Sequence, residues 1–259
     1  MVARRGQIHP AALAGFGTEA QAYARGRPDY PDELLSWLRG SLHLAHGKTA
    51  VDLGAGTGKF TKLLVQTDAD IVAVEPVDAM RAQLSANVSG VRAISGTAEA
   101  TGLNGSSVDA VLCAQAFHWF ASERALAEIH RVLRPGGKLG LVWNVRDESV
   151  DWVAAITDII TPYEGDAPRY YTGDWQRPFD GSPFSRLEET CFEHQHVGSP
   201  QQVILDRFLS VSFVAALPEE EKSKVRQKLG DLIARHPKLK GRDSIAFPYR
   251  THAYYCTRE

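Results

Sequence analysis

Cysteine is scarce in this chain of 259 residues: three, at Cys113, Cys191 and Cys256, far apart and odd in number. That disfavours a disulfide framework or a cysteine-built zinc site and fits a reducing compartment. Charge of one sign is lacking too. Lys and Arg number 29 against 31 Asp and Glu, a formal net charge of −2. No broad basic field is available to grip a polyanion, which disfavours a dedicated nucleic-acid binder. No window approaches the roughly 18 uninterrupted apolar residues of a membrane span. The opening MVARRGQIHPAALAGFG carries two arginines but no long apolar run, so no signal peptide is read there. Repeats and low-complexity tracts are absent. A soluble, cytoplasmic protein is expected, with no membrane partner. At 44% hydrophobic and 23% charged residues, the composition suits one large domain or a domain with an added cap.

What is present is an alternation of strand and helix signals. Pro28 and Pro31 lead into a helix carrying Leu34, Leu35, Trp37 and Leu38 at helical spacing. Short apolar runs predict strands at 49–53, 71–74, 91–95, 109–114 and 138–143. Between them lie a helix carrying Phe60, Leu63, Leu64 and Val65, a second at 78–84, and a third at 121–133 that Pro135-Gly136-Gly137 stops. Continuous apolar strands alternating with helices predict a parallel sheet covered on both faces. After Arg146 the periodicity weakens. A helix at 151–162, a long loop, a strand near 186–196, helices near 200–211 and 218–235 and a last strand near 245–256 are expected. The chain thus divides into 1–45, 46–147 and 148–259.

The most informative segment is Val51-Asp52-Leu53-Gly54-Ala55-Gly56-Thr57-Gly58-Lys59-Phe60-Thr61, three glycines between a strand and a helix. A dinucleotide fingerprint needs G-x-G-x-x-G, but its third glycine position holds Lys59. A phosphate-binding loop needs G-x-x-x-x-G-K-[ST], but Leu53 stands at its first glycine and Phe60 at its end. What fits is G-x-G-x-G after an acidic strand end, with a second acid, Glu75, closing the next strand. A carboxylate there can accept both hydroxyls of a ribose. Read alone, G-x-G-x-G also suits a mere tight strand–helix turn.

Taken in order, VDLGAGTGKFT, VAVEP with Met80, GTAE, VDAVLCAQAFHWF and EIHRVLRPGGKLGLVWN resemble the class I S-adenosylmethionine-dependent methyltransferases. The flanks YARGRPDYPDELLSWL, AFHWF and WNVRDES resemble a small-molecule subgroup of which trans-aconitate methyltransferase is the best-known type. The resemblance implies a Rossmann-like α/β fold: a mostly parallel, seven-stranded sheet with helices on both faces and an inserted, C-terminal helical cap. It implies S-adenosyl-L-methionine as cofactor and S-adenosyl-L-homocysteine as product. Gly54, Ala55, Gly56 and Gly58 would run under the cofactor, Asp52 would place its methionine amino end, and Glu75 would bind the ribose. Met80, Thr97 and Ala98 would border the adenine, though many relatives carry Asp at the Thr97 position. Ala114, Gln115 and Ala116 would line the methionine side. Tyr23 and Arg27 resemble an N-terminal flap, with Arg27 a candidate partner for the cofactor carboxylate or a surface charge. The implied regions are a flap with its helix at 1–45, a cofactor-binding core at 46–147 and an acceptor and lid region at 148–259.

The expected reaction is in-line methyl transfer to a small-molecule acceptor, at carboxylate or hydroxyl oxygen. Alignment and water exclusion are its main demands. Phe117, Trp119 and Phe120 follow the fourth strand; each suits either a cation-facing wall or the core. His118 is a candidate base or hydrogen-bond donor, or a structural residue. Trp119, Trp143, Arg146 and Tyr171 are candidate acceptor contacts, with Arg146 able to clamp an anion or to fix its loop through Asp147 or Glu148. Asn144 lies at the same strand end, and Tyr170, Trp175 and Arg177 belong with Tyr171 to a candidate lid. His194 and His196 alternate on a strand, too few for a metal site, and none is assigned. A non-catalytic binder of S-adenosylmethionine, or transfer to nitrogen, remains open. The acceptor's identity and the oligomeric state are not written in this sequence.

Overall fold

The computed structural model describes residues 27–259. Among them, seven strands form one sheet in the order β3-β2-β1-β4-β5-β7-β6. β1 (Thr49–Leu53), β2 (Asp70–Val74), β3 (Arg92–Ile94), β4 (Val108–Ala114) and β5 (Leu133–Arg146) run parallel. β7 (Ile245–Thr257) lies antiparallel beside β5, and β6 (Glu188–Gly198) antiparallel beside β7. The seven-stranded, mostly parallel sheet expected from the sequence is therefore the one observed. β1 and β4 are buried almost throughout, while β6 alternates between exposed and half-buried positions at the sheet's edge. This is the burial that a doubly covered centre and a solvated edge require.

The helices follow their apolar stripes. α1 (Glu33–Gly40) buries Leu34, Trp37 and Leu38. α2 (Lys59–Val65) and α3 (Asp78–Asn87) follow β1 and β2. α4 (Glu123–Val132) is capped by Ser122, whose hydroxyl accepts the Ala125 amide at 3.2 Å, and it buries Ala125, Leu126, Ile129 and Val132. The stretch after α4 differs from expectation. Pro135-Gly136-Gly137 does more than end a helix. β5 already pairs Leu133 with Val108, then slips register before Lys138 meets Ala110. The intervening residues form a bulge, which accommodates a proline within the strand.

β7 explains where the cap sits. Because it runs against β5, its first residues lie beside the last of β5, with Tyr249 opposite Arg146. Ile245, Phe247 and Tyr249 thereby reach the carboxyl edge of the parallel strands. There they join one apolar cluster with Trp152, Val153 and Ile156 of α5 (Asp151–Ile160), with Val203, Ile204 and Phe208, and with Val225 and Leu229 of α6 (Glu219–Arg235). The single helix expected near 200–211 is broken. Gln201–Asp206 is a π-helical turn, followed by a short α-helical turn at Arg207–Leu209. π turns recur at functional sites, and this one delivers Arg207 to the cleft described below.

The third glycine of the motif serves packing. Gly58 caps α2 with φ +86°, and a Cβ there would stand 2.9 Å from Leu84 Cγ and 3.0 Å from Val88 Cγ2 on and after α3. Gly58→Ala combines a left-handed backbone with overpacking. It is expected to lower stability by about 2–4 kcal/mol, read from the urea unfolding midpoint.

Candidate active site

A cleft opens at the carboxyl ends of β1, β2 and β4. Glu75, at the end of β2, is buried and fixed at both oxygens. Oε2 accepts the Gly56 amide at 2.8 Å and Oε1 accepts the Val77 amide at 2.9 Å. Burial pushes its pKa up, against the pull of those two amides and of Arg81. Each oxygen keeps lone-pair capacity for a further donor. The carboxylate is thus held in one orientation, with a demand for hydroxyl donors.

Asp52, at the end of β1, is more deeply enclosed. Its Oδ2 accepts the Thr61 hydroxyl of α2 at 2.6 Å, while Oδ1, removed from water, has no hydrogen-bond partner among the described residues. Burial pushes its pKa up to about 7; the Thr61 hydroxyl opposes this and the nearby Glu75 adds to it. An orphaned buried carboxylate oxygen is a demand for a cationic donor. Gly54 keeps the turn tight: its φ is +73°, and a Cβ would strike the Ala116 Cβ at 2.9 Å. Gly54, Ala55, Gly56, Met80, Thr97, Ala98, Ala114, Gln115 and Ala116 all line the cleft with Asp52 and Glu75; Gly58 does not. Gln115 adopts φ +56° and ties β4 to β5 through its Nε2 to the Asn144 carbonyl, 3.1 Å. Arg27 lines the cleft. Tyr23 lies outside the described residues.

The aromatic run after β4 divides. Phe117 is fully buried in the core, whereas Trp119 and Phe120 line the cleft. They also line a second cavity, with His118, Glu164, Arg169, Tyr171 and Trp175. His118 Nδ1 accepts the indole N–H of Trp143 at 3.0 Å. Burial, reinforced by the Arg169 and Arg27 guanidiniums, pushes its pKa down to about 3. The ring is neutral, its proton sits on Nε2, and it presents a donor. Trp143 itself is buried against Trp175, Tyr170 and Tyr254, away from both cavities. Arg146 turns to Glu148, 3.6 Å away, and lies over the Phe208 ring, outside both linings. Tyr171 donates a hydroxyl hydrogen bond to Glu164 at 2.6 Å; Tyr170 bonds Tyr254, and Arg177 pairs with Asp174 on the surface. His194 and His196 stand on β6, and among the described residues no group of three or more His, Cys, Asp or Glu is placed to hold a metal.

Lys59, Tyr30 and Arg207 also line the cleft, though the sequence does not single them out as site residues. Lys59 reaches Asp29 Oδ1 at 3.1 Å and also bonds the Arg27 carbonyl; Asn144 Nδ2 holds the Asp29 carbonyl at 2.9 Å. Tyr30 packs edge-on against Phe60, 4.9 Å between centroids. Together they pin residues 27–30 over the cleft. Arg207 enters from the cap. No local motif marks these positions; the closing turn of GxGxGK only hinted at Lys59.

Residues 51–141 match the family described as a methyltransferase domain. An uncharacterized methyltransferase of Mycobacterium tuberculosis is 41% identical over 236 residues, 91% of this chain and 92% of that one. An uncharacterized methyltransferase-like protein of Schizosaccharomyces pombe is 36% identical over 250 residues, 95% and 96% of the two chains. A solved structure from Anaeromyxobacter dehalogenans, described as a type II methyltransferase, superposes with TM-score 0.63 at 25% identity, covering 89% of this chain and 96% of that one. The fold and site define a class I methyltransferase. The chain belongs to that S-adenosylmethionine-dependent enzyme family. The residues present fit the cofactor: Asp52 Oδ1 lacks the donor an ammonium supplies, and Glu75 is poised for hydroxyls.

Two outcomes follow from these acids. Glu75→Ala removes two charge-assisted acceptors, each of roughly 1.5–3 kcal/mol. Affinity for S-adenosylhomocysteine should fall on the order of 100-fold by calorimetry. For Asp52, the unfolded chain ionises near pH 4 and the folded one near 7. Between those values only the unfolded state releases the proton, so stability falls as pH rises and levels off above 7. Asp52→Asn should flatten this slope in ligand-free denaturation curves, gaining on the wild type by a few kcal/mol from pH 4 to 8, on the order set by the shift.

Proposed function

We propose that the protein transfers a methyl group to an oxygen of a small-molecule acceptor, carboxylate or hydroxyl, by in-line displacement. The observation that carries the reading is the state of His118. Its Nδ1 is committed to Trp143, and its pKa of about 3 keeps it unprotonated at neutral pH. A ring so placed is a donor rather than a proton acceptor, which suits a carboxylate, already an anion, or a hydroxyl acidic enough to give its proton to solvent before the methyl arrives. An ammonium acceptor would first need to lose a proton.

S-adenosylmethionine, when bound, supplies a methyl group on a positively charged sulfur that is already activated for displacement. The protein's share is positioning and dryness. Asp52 would hold the ammonium and Glu75 the ribose hydroxyls, while Met80, Thr97 and Ala98 enclose the base. Trp119 and Phe120 wall the cleft on one side and the second cavity on the other, and their faces suit a cation. The tied-down segment at 27–30 and the cap exclude water. The division of labour proposed is a flap and first helix at 1–45, a cofactor-binding core at 46–147 and an acceptor region at 148–259. The flanking motifs support the small-molecule subgroup that includes the trans-aconitate type. Three free thiols, Cys113, Cys191 and Cys256, support a cytoplasmic setting. No helix among the described residues is long and apolar enough to cross a membrane.

The test is turnover of methyl-labelled cofactor by the pure protein against panels of small carboxylic acids, alcohols, phenols and amines. Label should enter the oxygen acceptors, with methyl esters released by mild alkali. Label confined to amines, or none at all beside tight cofactor binding, overturns the reading. On the acceptor found, His118→Gln should leave the pH–rate profile between 5.5 and 9 unaltered and slow the rate by about tenfold at most, the scale of one hydrogen bond. A wild-type inflection near 6.5 that vanishes in the variant would restore His118 as the base.

A further inference from the structure

Arg207 is the one lining residue that the cofactor reading leaves unemployed on strong physical grounds. It is a cap residue, 8% exposed, on the wall of the same cleft as Glu75. Its Nε and Nη1 are both shut off from water with no hydrogen-bond partner among the described residues. Among the described residues no carboxylate forms an ion pair with it. Lys59, Arg146 and His196 all feel its positive field. Lys59 is already matched by Asp29 and Arg146 by Glu148. Among the described residues, the face of the adjacent Phe208 lies 5.4 Å from the guanidinium carbon.

A guanidinium with two of its three nitrogens desolvated and no counter-ion is costly to keep. A fold retains such a group where a ligand supplies the missing charge. The local backbone agrees: a π-helical turn at Gln201–Asp206, itself an irregularity, sets the phase that delivers Arg207 inward. Planar forked donors match a carboxylate or a phosphate.

We propose that Arg207 anchors an anionic group of the methyl acceptor, so that the acceptor is a small anion held from the cap side. The inference rests on the methyl-transfer reading for the ligand's role. The anchored group is not the reacting one. A carboxylate paired to a guanidinium is a weakened nucleophile, so the acceptor carries its anionic handle apart from the atom that takes the methyl. Carboxylate and phosphate handles share this chemistry.

The experiment uses the full chain saturated with S-adenosylhomocysteine and titrated with malonate, with inorganic phosphate, and with malonamide as the uncharged control. Wild type should bind at least one anion and ignore malonamide. Arg207→Met should weaken that binding at least tenfold, the scale of one charge-assisted hydrogen bond, while the S-adenosylhomocysteine affinity moves less than threefold. Arg207→Lys should restore part of the binding. The ligand-free Arg207→Met protein should melt no lower than wild type, because a buried unpaired charge has been removed; a purely structural arginine would lower it. Which anion survives best identifies the handle. Equal loss of S-adenosylhomocysteine affinity reassigns Arg207 to the cofactor and overturns the proposal, as does anion binding that ignores the substitution or is absent from wild type. Failure of wild type to bind S-adenosylhomocysteine would instead sink the methyl-transfer reading itself.

Discussion

The Glu75 carboxylate reinforces the join between two turns whose backbones already meet at the Val74 carbonyl. It accepts the Gly56 amide from the turn after β1 and the Val77 amide from the turn after β2. The cleft floor is rigid because one buried side chain also holds both turns. The cost is electrostatic. Burial raises the pKa of Glu75, and its charge adds to the upward pressure on Asp52. Two carboxyl groups share a dry pocket, one well bonded and one with an orphan oxygen. This end of the cleft is built for hydroxyls and a cation.

The cap and α2 bring the opposite sign to the same cleft. Reversal of β7 against β5 brings Phe247 and Tyr249 to the carboxyl edge of the sheet, and the cap condenses on them. Arg207 comes with the cap, Lys59 with α2. The chain as a whole is close to neutral, at −2, yet its cleft brings Asp52 and Glu75 together with Lys59 and Arg207. A near-neutral total says little about local fields, since desolvation strengthens a few charges far more than distant surface ones.

The core was legible because its signals are local. Strand, glycine turn and helix follow one another within a dozen residues, and Glu75 closes the next strand at a readable place. The Gly58 role was misread because spacing does not reveal what lies opposite; Leu84 and Val88 lie some thirty residues on. Trp143 and Arg146 stand at the right strand end, but side-chain direction sends one to His118 in the core and the other to Glu148. Arg207 was invisible for a different reason. Its helix phase depends on a π turn, and its partners in space are distributed over α2, β5 and the cap. Long-range packing of a weakly periodic region carries no motif.

Asp52 and Arg207 together give the empty protein an energetic character. Each is a buried group whose charge or hydrogen-bonding capacity lacks a partner, and each destabilises the ligand-free fold. The large apolar clusters on both sheet faces and in the cap tolerate this. On the proposed reading, ligands that supply an ammonium at one end and an anion at the other would relieve both strains at once. Their binding free energy therefore includes relief of desolvated protein charge as well as new contacts. Because the cap carries Arg207 and the core carries Asp52, filling the cleft also ties the two clusters to one another, so occupancy and cap stability are linked through the same pair of groups.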